Sequence, residues 1–292
     1  MAQRQWAGTT FGNGWMHSNL IRVLRFIDVR IVYLFSSVFI VPVCLLLNAS
    51  RKSAYRFFRE RIGYGPWRSA WAAYVNHCKF SQAVIDKFAM YAGKKFNVVV
   101  EGLDEFNSRA SGREGFLLLS SHIGNYEIAG YTLVSENKVI NAVVYSNEKA
   151  SVMENRGSMF ERTNIRMITL KEDMSHLYEI DSALSGGDIV SFPTDRSMGN
   201  SKCIEMDFLG AKARFPQGPF SVAAMRSLDV LAVNVMKEGL KGYRIFVTPL
   251  QYDRNAPRKE QIRQIAQAYV GELEKRVRLY PTQWYNFFDF WA

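Results

Sequence analysis

The chain has 292 residues, 37 Lys and Arg against 27 Asp and Glu, and so a formal charge of +10. Hydrophobic residues make up 48% and aromatic residues 14%, which suffices for one sizeable α/β body with a helical preface. The positive balance calls for anionic partners such as phospholipid headgroups or an acidic carrier protein; zinc-finger spacing, an RNA-binding strand signature and a basic helix with a heptad are all missing, so nucleic acid is not the expected partner.

Residues 1–17 are polar and are expected to be loosely ordered. Residues 31–50 then carry no charge, a length at the lower limit for crossing a bilayer. Cations flank both ends: Arg22, Arg25 and Arg30 before it, Arg51, Lys52, Arg56, Arg59 and Arg61 after it. Because positive flanks stay on the cytoplasmic side, a crossing would force one of them outward. Pro42 adds a kink point. The reading is therefore an in-plane or re-entrant anchor on the cytoplasmic leaflet. A clean crossing and a buried helix of a soluble protein are the alternatives. The segment starts late and lacks a small-x-small cleavage site, which excludes an ordinary signal peptide.

The helical preface continues to about residue 93, with Phe80, Val84, Phe88 and Tyr91 at helical spacing. The body, residues 94–292, begins at the alternating strand 96–100. Further strands are expected at about 115–121, 139–145, 188–193, 203–208, 229–236 and 243–249. Helices are expected near 125–135, 149–160, 172–185, 217–227 and 258–279. Met174, Leu177, Ile180 and Leu184 form one stripe and Ile262, Ile265, Tyr269 and Leu273 another, while His176 falls off its stripe and reads as a surface residue. Strands alternating with helices give an α/β fold, a central and mostly parallel sheet flanked by helices, behind an N-terminal helical, membrane-associating segment. The aromatic run 283–291 reads as an edge strand in the core. Cys44, Cys78 and Cys203 show neither metal spacing nor an even disulfide set, and the four histidines form no zinc pattern.

The chemistry concentrates in Ser120-Ser121-His122-Ile123-Gly124-Asn125-Tyr126-Glu127. It follows the apolar run 116–119 and precedes a helix-like segment, where an α/β sheet presents catalytic groups at its strand ends. A neutral His can take a proton from a hydroxyl or amine while a carboxylate orients the ring. Gly124 permits a sharp turn. The motif resembles the His-x4-Asp/Glu signature of the lysophospholipid acyltransferase superfamily, and more closely its bacterial lipid A late acyltransferase branch. Gly187 to Arg196 is similar to that branch's strand-then-Asp segment, with Gly199 just after. Asp207-Phe208-Leu209-Gly210 followed by Phe215-Pro216-Gln217-Gly218-Pro219 resembles its Phe-x-Gly and helix-entry block. Residues 230–235 stand where the branch has its next core strand, and the likeness runs over about residues 15–290.

The resemblance implies a membrane-associated acyltransferase on the cytoplasmic face of the bacterial inner membrane. It would move a fatty acyl group from an acyl-carrier-protein or acyl-CoA thioester to a hydroxyl or amine of a lipid acceptor. His122 is the expected general base and Glu127 its orienter. Gly124 and Asn125 are expected to offer backbone donors to the developing charge, and Asp195, Arg196, Arg166 and Gly218 to contact substrate. Neither a metal nor a redox cofactor is expected. The branch shows a Trp followed by Arg-Arg near the chain's last segment; here Asn286 and Phe288-Asp289 stand instead. That departure leaves the acceptor open between a lipid A precursor and another lipid, amino-acid-containing or polyene-type. A non-catalytic lipid binder on the same fold is the alternative. An α/β hydrolase is a third reading, disfavoured because no Gly-x-Ser-x-Gly elbow is present.

Overall fold

The structure is a computed structural model, and it describes residues 14–48, 50–145, 164–171, 173–196 and 201–291. The helix expected at 149–160 and the Gly199 position lie outside the described residues. Gly14 to His17, expected to be loose, instead open helix α1 (Gly14–Phe26). His17 and Leu24 point inward from it, the His17 ring lying 5.0 Å from that of Phe88.

The apolar stretch is helical throughout: α2 (Val29–Phe35), a π-helical turn (Ser36–Ile40) and α3 (Val41–Leu47). Asp28 caps its start by accepting from the Arg30 amide at 2.9 Å. Pro42 causes no break because it sits in the first turn of α3, where its missing N–H is already an orphan. At 19 residues, Val29–Leu47 is long and apolar enough to cross a membrane by length and composition. Only one side of it is covered. Val29, Tyr33, Ser36 and Val41 are buried, whereas Ile31, Leu34, Phe39 and Leu47 are 60–83% exposed. The covered side lies on α5 (Pro66–Tyr91), reached through α4 (Ser50–Arg56) and a second π-helical turn (Phe57–Arg61).

The body is a seven-stranded sheet in the order β1-β9-β8-β2-β5-β3-β4. The strands are β1 (Asn97–Glu101), β2 (Phe116–Gly124), β3 (Ile140–Tyr145), β4 (Ile165–Leu170), β5 (Ile189–Pro193), β8 (Val230–Glu238) and β9 (Gly242–Pro249). Every neighbouring pair is parallel except β8 with β9. A parallel sheet must be covered on both faces, and β2 shows why this one is. Leu117 and Leu119 enter one apolar cluster, with Val190, Val230 and Ala232. Phe116 and Leu118 enter a second on the opposite face, with Ile189, Leu231 and Val233. Helices α6 (Leu103–Ser111) and α7 (Glu127–Thr132) help to cover the second face through Phe106 and Ile128. Helices α8 (His176–Ser185), α9 (Gly218–Arg226) and α10 (Arg258–Leu279) cover the first through Ile180, Leu184, Phe220, Ala223, Ile265 and Leu273.

The remaining strands, β6 (Cys203–Phe208) and β7 (Ala211–Pro216), form a separate antiparallel hairpin. Its two-residue turn puts Leu209 at φ 51° and Gly210 at φ 78°, the pairing that matches hairpin twist. Phe208 and Phe215 on this hairpin are fully buried beside Trp284 and Phe290. The aromatic run at 283–291 is thus a core element, but not a strand. It begins with a 3₁₀ turn (Pro281–Gln283) and makes one isolated bridge, Trp284 to Ile123. His176 also departs from expectation. It is buried at the first turn of α8, and its Nδ1 accepts the Lys171 amide at 3.1 Å, which replaces the water an exposed ring would have.

Candidate active site

β2 is the middle strand, and its last residues hold His122. Pairing with β8 runs regularly to Ser120–Val233 and resumes at Gly124–Val235. Four steps on β2 therefore match two on β8, and the excess bulges at Ser121 to Ile123. Bulges of this kind re-aim side chains at strand ends. Gly124 closes the bulge at φ +61°, and a Cβ there would stand 1.7 Å from the Val235 carbonyl oxygen. No L-residue fits this combination of dihedral and contact. Gly124→Ala is therefore expected to cost more than about 2 kcal/mol of stability, read as a fall in the urea midpoint with unchanged slope. A variant as stable as the parent would show that the turn can rearrange.

The bulge directs His122 sideways, toward the neighbouring strand β5. Two residues beyond β5, Asp195 meets it. Asp195 Oδ1 accepts from His122 Nδ1 at 2.7 Å, and Asp195 Oδ2 accepts from the His122 backbone N–H at 3.0 Å. One carboxylate thus fixes both ring and main chain of the same residue. Asp195 is 1% exposed and the His122 side chain 12%. Burial alone would push the Asp195 carboxyl up. The charge and hydrogen bonds of His122 together with nearby Arg196 outweigh it and hold the carboxyl below its ordinary value. Tyr126 lies edge-on to the imidazole, with ring centroids 5.5 Å apart.

The carboxylate at His122 Nδ1 is that of Asp195. Glu127, buried at the start of α7, reaches α5. Its Oε1 is 3.4 Å from Lys87 Nζ, and its Oε2 accepts from the Tyr91 hydroxyl at 3.2 Å.

The other expected site residues divide. Asn125 is buried and braced. Its backbone N–H donates to the Val235 carbonyl at 3.0 Å, and its Nδ2 to the Ala83 carbonyl at 3.3 Å and to Tyr243 Oη at 3.4 Å. Its amide is therefore not aimed at a developing charge. Tyr243 in turn belongs to a buried group with Tyr33, Asp86 and Lys237, in which both tyrosines and the lysine donate to the Asp86 carboxylate. Arg196 is buried and donates to the Tyr285 carbonyl at 2.6 Å, its guanidinium 5.6 Å from the Phe288 ring centre. Arg166 is the second residue of the edge strand β4, at the amino end of the sheet. His122 is at the carboxyl end of β2, so the structure does not bring the two together. Gly218 is exposed at the first turn of α9, with open space where a Cβ would stand.

The aromatic tail is the part of the site that the sequence did not suggest. The Tyr285 amide donates to the His122 carbonyl at 3.2 Å, next to the Trp284–Ile123 bridge. Asn76 of α5 holds the tail by donating to the Thr282 and Trp284 carbonyls, both at 3.0 Å. Gln283 exchanges two hydrogen bonds with the Lys237 main chain. Among the described residues no three His, Cys, Asp or Glu side chains converge as metal ligands.

The arrangement is a histidine held in one tautomer by a buried, ionised carboxylate, at the carboxyl end of the central strand. It can take a proton from a hydroxyl or amine and return it to a leaving group. Comparison with known proteins points to one chemistry. A family model described as bacterial lipid A biosynthesis acyltransferase matches residues 74–292. A phosphatidylinositol mannoside acyltransferase of Mycobacterium tuberculosis is 22% identical over 241 residues, covering 82% of this chain and 68% of that protein. A second protein of the same name, from another strain, is 21% identical over 193 residues, 66% of this chain and 59% of its own length. Among solved structures, the 1-acyl-sn-glycerophosphate (LPA) acyltransferase PlsC of Thermotoga maritima is 12% identical, with a TM-score of 0.41 over 92% of this chain and 98% of that one.

Proposed function

The chain belongs to the bacterial lipid A biosynthesis acyltransferase family, and on that premise we propose that His122 is the general base of its acyl transfer and Asp195 the carboxylate that orients it. The observation that carries this reading is the double hold of Asp195 on His122, through ring Nδ1 and backbone N–H. With Nδ1–H donating to Asp195, Nε2 is the basic nitrogen. It takes the proton of an acceptor hydroxyl or amine as that atom attacks the thioester carbonyl. The tetrahedral intermediate collapses with loss of thiolate, which takes the proton back from the imidazolium. The products are an ester or amide and a free thiol. The donor is an acyl-carrier-protein or acyl-CoA thioester, for which the net positive surface is suited. Two relatives named for phosphatidylinositol mannoside favour a lipid acceptor that carries sugar hydroxyls and a phosphate.

Glu127 has a supporting role in this reading, fastening the start of α7 to α5 through Lys87 and Tyr91. Residues 1–93 form the membrane-associating region. The exposed apolar side of α2 and α3 lies in the cytoplasmic leaflet of the inner membrane, and the cations at 51–61 lie at its headgroups. A non-catalytic lipid binder would have no need of a buried carboxylate locked to a histidine, so the enzymatic reading is preferred. The test is direct. The purified full chain is incubated with acyl-carrier-protein or coenzyme A thioesters and a total bacterial lipid extract, and products are read by mass spectrometry. A lipid gaining one acyl mass, with release of free thiol, is the expected result. No acylated product with either donor would overturn the reading.

A further inference from the structure

Between α3, α4 and α5 runs a groove of about 940 Å³, near the top of the roughly 300–1,000 Å³ typical of small-molecule sites. Pro42, Leu45 and Leu46 form one wall and Tyr55 and Tyr74 the other. Small residues on α5, Ala70 and Ala73, keep the floor open. Arg51, Lys52 and Arg56 also line it, and no acidic residue does. It shares no lining residue with the His122 site.

We infer that this groove binds one anionic phospholipid, its acyl chain against the α3 wall and its phosphate at Arg51, Lys52 and Arg56. The inference rests on the membrane reading above, since the occupant comes from the bilayer. Three observations select it. The first is charge complementarity: three cations and no carboxylate line a groove whose walls are otherwise apolar. The second is the state of those cations. Arg51 donates to the Leu45 and Leu46 carbonyls at 2.9 and 3.2 Å, so its guanidinium is held at the open end of α3. Among the described residues Lys52 is exposed and has no ion-pair or hydrogen-bond partner. Arg56 meets Asp289 at 3.1 Å, but both are about half exposed, and such pairs yield readily. The third is continuity: Leu46 and Leu47, 72% and 83% exposed, extend the apolar wall onto the lipid-facing side of the helix. An apolar partner helix would leave the cations unmatched, and a soluble anion would leave the walls unused.

The test uses the full chain in mild detergent with phosphatidylglycerol or phosphatidylcholine, read by native mass spectrometry. One phosphatidylglycerol per chain is expected, with phosphatidylcholine retained much less. Ala70→Trp fills the groove from an exposed position and should abolish retention with the circular dichroism spectrum unchanged. Lys52→Ala and Arg56→Ala should each weaken it about fivefold. Sedimentation with anionic vesicles is measured in parallel. Ala70→Trp should still sediment, because the exposed side of α2 and α3 is intact. Equal retention of the two lipids overturns the inference, as does Ala70→Trp retaining phosphatidylglycerol like the parent. Vesicle binding with no retained lipid also overturns it and assigns the groove to another occupant. A full chain that neither sediments nor retains lipid overturns the membrane reading together with it.

Discussion

His122→Ala is expected to lower acyl transfer by about 10²–10⁴-fold, the usual loss on removal of a general base. The substitution also strips a hydrogen bond from a buried carboxylate, so instability could imitate a catalytic defect. His122→Asn separates the two effects. Its side-chain amide can stand where Nδ1–H stands and donate to Asp195, yet it has no basic nitrogen to take a proton. The Asn variant should melt close to the parent and be as inactive as the Ala variant. Near-normal turnover of purified, folded His122→Asn would remove His122 from the chemistry.

Asp195→Asn is expected to be at least as damaging, by about 10⁴-fold if the pair behaves like the His-Asp part of a serine-protease triad. The two oxygens of Asp195 receive two N–H donors from one residue. An amide offers a single oxygen, and its NH₂ then opposes an N–H. If the oxygen keeps the main chain, the ring must present Nδ1 as an acceptor. The proton then sits on Nε2, the atom that should be basic. Glu127→Gln disturbs the link to Lys87 and Tyr91, so on the proposed roles its loss should be far smaller and appear mainly as lowered stability. Equal losses of activity in the two variants, both folded, would return the orienting role to Glu127. The wild-type pair also has a pH consequence. The Asp195 carboxyl lies below its ordinary value of about 3.9, so its stabilisation is full above that pH and is lost as acid drives pH through the lower, folded-state value.

Elements with a marked apolar pattern were legible in the sequence, and those with few or small buried residues were not. α10 spans Arg258–Leu279, the limits expected from its stripe, because Ile265, Tyr269 and Leu273 all bury large side chains. β6 also has its expected limits, Cys203–Phe208. β7 was missed because its inward residues before Phe215 are Ala211 and Ala213, too small to mark an alternation. α6 buries only Phe106 and Ala110, and β4 only Ile165 and Ile168, so neither had a pattern to read. The stripe on α8 was placed wrongly: Met174 and Leu177 are exposed, and the buried face is His176, Ile180 and Leu184. In the candidate site, the strand-to-helix turn that carries His122 was legible. The partner of His122 was not, because 73 residues separate them and only the parallel pairing of β2 with β5 closes that distance.

The tail that braces His122 has a meaning for the time course of synthesis. The carbonyl of His122 and the amide of Tyr285 are joined across more than half of the chain. At roughly 5–20 residues per second, a ribosome makes Tyr285 about ten to thirty seconds after His122. During that interval the end of β2 still lacks this main-chain partner. The strand that carries His122 is thus completed only when the aromatic residues near the end of the sequence are made.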